Sequence, residues 1–346
     1  MFSKNCLEGV KMPTISDVAR KAGLSVSTVS RVINKKPHVS QQKETLVKAA
    51  MKELGYKPMP AARQLRGTKA KNLAVTVPRI TNPFFADLIN VIERTLDSKG
   101  YTIILIQTFG RKDKELDALK LLTNQTIDGV ILCSIENDAP VIQEYSKYGS
   151  IVLVNEYLGE LDLPTIRANQ YQGFKEATGF LIQRGYKNIA YATGHKNIIV
   201  TKKEGTNLNS NRFSGFQAAL REAKMSFDPK MLFTHVQTRD AGLKLFNKLF
   251  KENKMPDAII SGSDEVAVGI MEGAKEVGVE VPKRLGVLGI DDQSLSRDLF
   301  IPLTTVRQPV EEMGAAAAKA MLQHLEDKDV VENKVFNLDL VVRESV

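Results

Sequence analysis

Apolar residues recur at helical spacing through residues 14–55, then give way from Asn72 onward to short apolar runs alternating with amphipathic stretches. In the first segment Ile15, Val18, Ala19 and Ala22 share one helical face, which Gly23 ends. Ser25 is placed to cap a second helix that turns Val29, Val32 and Ile33 inward. Ser40 opens a third, where Leu46, Val47, Ala50, Met51 and Leu54 repeat until Gly55 stops them. Helix, glycine turn, helix and a supporting helix is the layout of a helix-turn-helix. A generic three-helix fold is the alternative. Against it stands the outward face of the second helix, which carries Val26, Ser27, Thr28, Ser30 and Arg31. These are short or hydrogen-bonding groups, where a merely solvated helix carries Glu and Lys.

Residues 56–71 form a linker in which Pro58 and Pro60 precede Ala61-Ala62-Arg63-Gln64-Leu65-Arg66-Gly67. That stretch predicts one short helix, too short to stand alone, and therefore one that folds only when docked. Beyond it, strands are expected at 72–78, 101–107, 127–133, 150–154, 188–193, 257–261 and 285–290. Helices are expected at 83–98, 112–124, 139–147, 171–184, 212–223, 239–252, 264–277 and 310–326, with a last strand at 335–342. Such alternation predicts two doubly wound parallel-sheet subdomains with a cleft at the carboxyl ends of their strands. The fold class is thus a small all-α head with a hinge helix, joined to an α/β sensor.

Charge sharpens this division. The net charge of the 346 residues is +8, yet residues 12–71 hold 13 Lys and Arg against only Asp17, Glu44 and Glu53. Everything after residue 71 is slightly acidic, so the chain reads as a polyanion-binding head on a soluble body. Two cysteines, Cys6 and Cys133, make no disulfide framework and point to the cytoplasm. No apolar stretch has the ~18 residues of a membrane span, so no membrane partner is expected. Residues 1–11 have no periodicity, and Met12 begins a clean pattern, so 1–11 are expected to be a mis-annotated extension with Met12 the true start.

An enzyme fits poorly. The four histidines, at 38, 195, 235 and 324, are scattered, and there is no HExxH motif, phosphate loop or GxGxxG after the first sensor strand. No cofactor and no metal are expected.

The head resembles the LacI/GalR family of bacterial regulators through Thr14-Ile15-Ser16-Asp17-Val18-Ala19, Ala22-Gly23-Leu24-Ser25 and Thr28-Val29-Ser30-Arg31-Val32-Ile33-Asn34. Gly55-Tyr56-Lys57-Pro58 and Ala62-Arg63-Gln64-Leu65 continue the match. In the body it runs through Asn82-Pro83-Phe84-Phe85, Asp128-Gly129-Val130-Ile131, Gly215-Phe216 after Arg212, Gly289-Ile290-Asp291-Asp292 and Pro302-Leu303-Thr304-Thr305-Val306. The resemblance implies a head at 12–58, a hinge at 59–71 and, at 72–346, an effector-binding and dimerisation domain related to periplasmic sugar-binding proteins. The N-subdomain is expected at about 72–169 plus 311–337, and the C-subdomain at about 170–310 plus 338–346.

The resemblance further implies a homodimer on double-stranded, pseudo-palindromic operator DNA, regulated by a small-molecule effector, a sugar or sugar derivative. Val26, Ser27 and Arg31 would meet base edges in the major groove, with Arg31 donating to a guanine. Ser16, Ser25, Thr28, Ser30, Asn34 and His38 would meet the DNA backbone, Ser25 and Asn34 having equal claims as a helix cap and a turn former. Ala62 and Leu65 would sit in the minor groove, Leu65 as a wedge. Phe84, Phe85, Arg212, Ser263 and Asp291 would contact the effector, with core packing the competing reading for the phenylalanines.

Four departures from the family pattern bear on this. Met59 follows the hinge proline where Asn is common, Ser263-Asp264 replaces Asn-Asp, and Arg167-Ala168-Asn169 stands where Asp-Asn is usual. The loop between Gly194 and Arg212 is long and carries Lys196, Lys202 and Lys203. Those lysines either suit an acidic effector or simply coat a solvated loop. Two competitors remain: a global catabolite-type regulator with a phosphorylated protein corepressor, and a solute-binding protein without regulatory role. Inducer and corepressor action are both open.

Overall fold

The computed structural model describes residues 13–33, 37, 39–56, 70–159, 161–194 and 207–346. Its contacts divide the chain into two compact units, with the boundary between Ala70 and Lys71. The linker residues 57–69, with Ala62 and Leu65, and the residues Asn34 and His38 lie outside the described residues.

The first unit is three helices. Thr14 opens α1 (Ile15–Ala22) with a capping box: its hydroxyl accepts the Asp17 amide at 3.3 Å while the Asp17 carboxylate accepts the Thr14 amide at 2.9 Å. Gly23, at φ 65°, ends α1 in the left-handed conformation that a side chain disfavours. Then come α2 (Val26–Ile33) and α3 (Gln41–Leu54). Val18 and Ala19, Val29 and Val32, and Val47 and Ala50 supply one inward pair per helix and form the small core. Lys21 pairs with Glu53 at 2.5 Å and ties α1 to α3.

The second unit begins with β1 (Asn72–Val77), α4 (Pro83–Asp97), β2 (Thr102–Gln107), α5 (Lys112–Thr123), β3 (Gly129–Leu132), α6 (Ala139–Ser146), β4 (Ser150–Val154) and β5 (Thr165–Ala168). It continues through α7 (Gln170–Gln183), β6 (Ile189–Ala192), α8 (Leu208–Glu222), β7 (Leu232–Phe233) and α9 (Arg239–Lys251). There follow β8 (Ala258–Ile260), α10 (Asp264–Glu276), β9 (Gly286–Asp291) and β10 (Thr304–Arg307). Last come α11 (Val310–Glu326), β11 (Asn333–Phe336) and β12 (Asp339–Val341).

Two six-stranded sheets result, ordered β11-β5-β4-β3-β1-β2 and β12-β10-β9-β8-β6-β7. Every pairing is parallel except that of β10 with β12. Strands such as β1 and β4 are apolar almost throughout because helices cover both faces of each sheet. The chain passes from one sheet to the other three times: after β5, after β10 and between β11 and β12. Helix pairs close tightly through glycine. A side chain at Gly215 would collide with the Tyr171 carbonyl of α7, and one at Gly269 with the Arg239 carbonyl of α9.

Three differences from the expected elements have local causes. The strand expected at 335–342 is two strands in different sheets, divided at Asn337-Leu338. The helix expected from 212 begins at Leu208, because the Asn207 side chain caps it by accepting the Ser210 amide at 3.0 Å. β5, β7 and β10 were not among the expected strands: β7 is two residues long, and β5 (Thr-Ile-Arg-Ala) and β10 (Thr-Thr-Val-Arg) carry no continuous apolar run.

Candidate DNA-reading head and effector cleft

The first turn of α2 is built to present side chains. Ser25 caps it, accepting the Thr28 amide at 3.2 Å, and its hydroxyl lies 2.9 Å from that of Ser27 and 2.8 Å from that of Thr28. This hydroxyl cluster fixes the N-terminal end of the helix, so Ser25 does serve as a cap. Val26 beside it is 43% exposed, an apolar side chain with no core to join. Arg31 is exposed on the same helix and donates one bond, at 3.2 Å, to the Pro37 carbonyl, which steadies a fork of five N–H donors. Ser16 is exposed in α1, and Thr28 and Ser30 are half-buried.

In the second unit the polar residues gather where strands end. Arg212, on α8, is buried, with its guanidinium 5.2 Å from the centre of the Phe174 ring. Its Nε donates to Gln170 Oε1 at 2.8 Å. Gln170 Nε2 donates to Gln308 Oε1 at 3.3 Å, and Gln308 Nε2 donates to Asp291 Oδ1 at 2.7 Å. A cation and a carboxylate are thus joined through two amides. Gln170 and Gln308 stand at two of the three crossings between the sheets, directly after β5 and β10.

Burial dominates the electrostatics. It pushes the Asp291 carboxyl up to about 7, against the pull of Arg212 and with a further push from Asp264. It also lowers the Arg212 guanidinium, which Asp291 raises in return. Glu156, which follows β4, is pushed up to about 7 as well; burial leads, its one backbone donor (Ile135, 2.9 Å) opposes, and Arg212 is the cation it feels. Asp291 and Asp292, at φ 106° and 52°, and Asn155, at φ 67°, hold backbone conformations that non-glycine residues avoid. Strain at three residues on two strand ends is typical of a site the surrounding fold holds in place.

Among the described residues, polar contacts cross the seam between the two sheets. Arg79, after β1, pairs with Glu265 in the first turn of α10 and donates to the Gln237 carbonyl at 3.3 Å. Asn211 of α8 donates to the hydroxyl of Tyr157, which follows β4. Other expected contacts have structural partners. Ser263 caps α10 by accepting the Val266 amide at 3.3 Å. Its neighbour Asp264 is fully buried and accepts from Gln293 N (2.7 Å), Ser296 Oγ (2.5 Å) and Thr305 Oγ1 (2.6 Å). Phe84 and Phe85 are both buried in the core of the second unit, edge to face with ring centres 5.0 Å apart.

Residues 14–59 match the family described as bacterial regulatory proteins, lacI family, and residues 70–340 match the periplasmic binding proteins and sugar binding domain of the LacI family. The chain belongs to the LacI family. It is a ligand-controlled, DNA-binding transcription regulator. Among its relatives, the NTD biosynthesis operon regulator NtdR of Bacillus subtilis is 32% identical over 338 residues, covering 96% of this chain and 100% of that one. A LacI-family regulator of Lactobacillus casei, solved with bound glucose and with bound sucrose, is 32% identical with a TM-score of 0.71, covering 80% of this chain and 99% of that one. The lac repressor dimer bound to operator has a TM-score of 0.77 over 97% of this chain and 99% of its own, and at 23% identity it bears on the fold alone.

For this LacI-family chain, Arg212 and Asp291 are the pair of expected effector residues that the structure brings into one network. Gln170 and Gln308 join them by hydrogen bonds, Glu156 feels the charge of Arg212, and none of the three was foreseen. The signal for them was a polar residue placed immediately after an apolar strand, as in Val154-Asn155-Glu156.

Proposed function

We propose that the chain is a repressor that binds a pseudo-palindromic operator as a homodimer in the cytoplasm and is set by a small carbohydrate-class effector in the seam between its sheets. Its chemistry is binding, without catalysis or cofactor. The observation that carries this reading is the Arg212–Gln170–Gln308–Asp291 network, because its two amides belong to the crossings about which the two sheets must move. A ligand gripping Arg212 and Asp291 therefore biases closure, by no more than its differential affinity for the two closure states. The sugars bound by the Lactobacillus casei relative support the carbohydrate class.

On DNA, Val26 contacts a thymine methyl, Ser27 a base edge and Arg31 a guanine, while Ser16, Thr28, Ser30, Asn34 and His38 position the backbone. Ala62 and Leu65 of the hinge enter the minor groove. Selection of bound duplexes from a randomised pool, with the full chain, tests this. An inverted repeat whose half-sites each hold a guanine that loses its selection in Arg31→Ala is the expected result. Enrichment of no motif, or of a motif without two-fold symmetry, contradicts it.

A further inference from the structure

We propose that Arg79 is a latch that holds the two sheets of the sensor closed independently of any ligand, by clasping the first turns of α9 and α10. This rests on the reading above only in that the sheets move about their crossings.

Arg79 is held from both sides. It follows β1, a strand paired with β2 on one edge and β3 on the other, and Pro78 fixes the backbone between them. Its carbonyl accepts the Asn82 amide at 3.3 Å, and the Asn82 side chain caps α4 by accepting the Phe84 amide at 3.0 Å. The amide of Ile80 donates at 3.3 Å to Gln107 Oε1, at the end of β2. The guanidinium therefore rides on a turn tied to β1, β2 and α4, and moves only as the first sheet moves.

The side it grips is equally firm. Glu265 lies in the first turn of α10, and Gln237 directly precedes Thr238, which caps α9 by accepting the Ala241 amide at 3.2 Å. These two helices meet backbone to backbone, since a side chain at Gly242 would collide with the Val266 carbonyl and one at Gly269 with the Arg239 carbonyl. Two guanidinium nitrogens of Arg79 donate to the two carboxylate oxygens of Glu265, and Nη2 donates also to the Gln237 carbonyl at 3.3 Å. One side chain thus engages both helices.

Placement distinguishes this pair from the others. The other ion pairs found among the described residues stay within the head or on one side of the seam, as Arg94 with Glu311 and Lys175 with Glu222 do. The side chains of Arg79 and Glu265 are 30% and 23% exposed, so salt screens them less than it screens a surface pair. Helix dipoles add a sign. The N-terminal ends of α9 and α10 are partially positive, so Arg79 is tolerated there only with Glu265 present. Neutralising Glu265 turns the clasp into a repulsion, whereas neutralising Arg79 merely releases it.

The test is a distance measurement across the seam in the full chain without ligand. Spin labels on Lys120→Cys of α5 and Lys244→Cys of α9, both exposed positions, are introduced in a Cys6→Ser background where Cys133 is buried. Labelled chains are diluted into unlabelled ones and read by electron–electron double resonance. The population at longer distance should rise about twofold or more in Arg79→Gln and further in Glu265→Gln, while the double variant should fall back to the level of Arg79→Gln. A distance profile in Arg79→Gln identical with the parent's, or a double variant that equals the product of the two single effects, overturns the latch. Operator selection by the same samples separates this failure from failure of the regulator reading: if it persists, only the latch is lost.

Discussion

Asp291 ends β9 at φ 106°, beside a buried arginine, with its carboxyl pushed up to about 7 from an ordinary 3.8. Between roughly pH 4 and 7 the native chain therefore binds more protons here than the unfolded chain does. The group contributes no penalty below pH 4, one that grows between about pH 4 and 7, and a constant one above. Asp291→Asn removes it, so the variant's melting temperature relative to the parent should climb between pH 5 and 8. The expected gain is roughly 4 °C or more, since 1 kcal/mol is worth about 2–4 °C in a domain this large. A flat difference across that range contradicts the assignment. In the head, Arg31→Ala should weaken operator binding by about 1–3 kcal/mol while changing binding to random duplex little. Equal loss on both, measured by anisotropy, would make Arg31 a phosphate contact. Arg212 and Asp291 were legible as a pair because each is a charged residue within a family motif that follows a strand or loop. Glu156, Gln170 and Gln308 were not, because residues 156, 170, 212, 291 and 308 converge only once the sheets are formed.

Among the elements, the expectations held best where helical periodicity was long, in the buried strands β1 and β4, and in the apolar run Ile103-Ile104-Leu105-Ile106 of β2. They failed at β7, of two residues, and at β5 and β10, where threonines and an arginine interrupt the apolar run. They failed too at 335–342, where no apolar pattern marks that the chain changes sheets after Phe336. Leu338 lies at that change and packs against Gly173 of α7, a contact between residues far apart in sequence. The ion pair of Arg79 with Glu265 belongs to the same scale, as it links the loop after β1 to α10. If it holds the seam closed, Arg79→Ala and Glu265→Ala should each alter effector affinity in one direction by about two- to fivefold, and the double variant should fall short of the product of the two. Strict additivity would show that the two side chains do not act together. Removal of the capping box by Thr14→Ala should cost the head about 1 kcal/mol, seen as earlier loss of its helical signal on denaturation. An unchanged transition would mean that the box adds nothing to the head.

The whole molecule separates a strongly basic head from a slightly acidic sensor, and the composition alone exposed that division. Affinity for any DNA follows from the head's charge, whereas specificity and control must come from α2, the hinge and the seam. Control requires that the two units be energetically coupled, so that what the seam holds changes what the head binds. Fluorescence anisotropy on the duplex upstream of the chain's own gene, against a scrambled duplex and across a salt series, with and without a panel of small sugars that includes glucose and sucrose, tests that coupling. Preference for the native site by about 10³-fold or more, shifted by a ligand that leaves binding to the scrambled duplex unchanged, is the expected result. Equal binding to both duplexes with one steep salt slope, indifferent to every ligand, would contradict it.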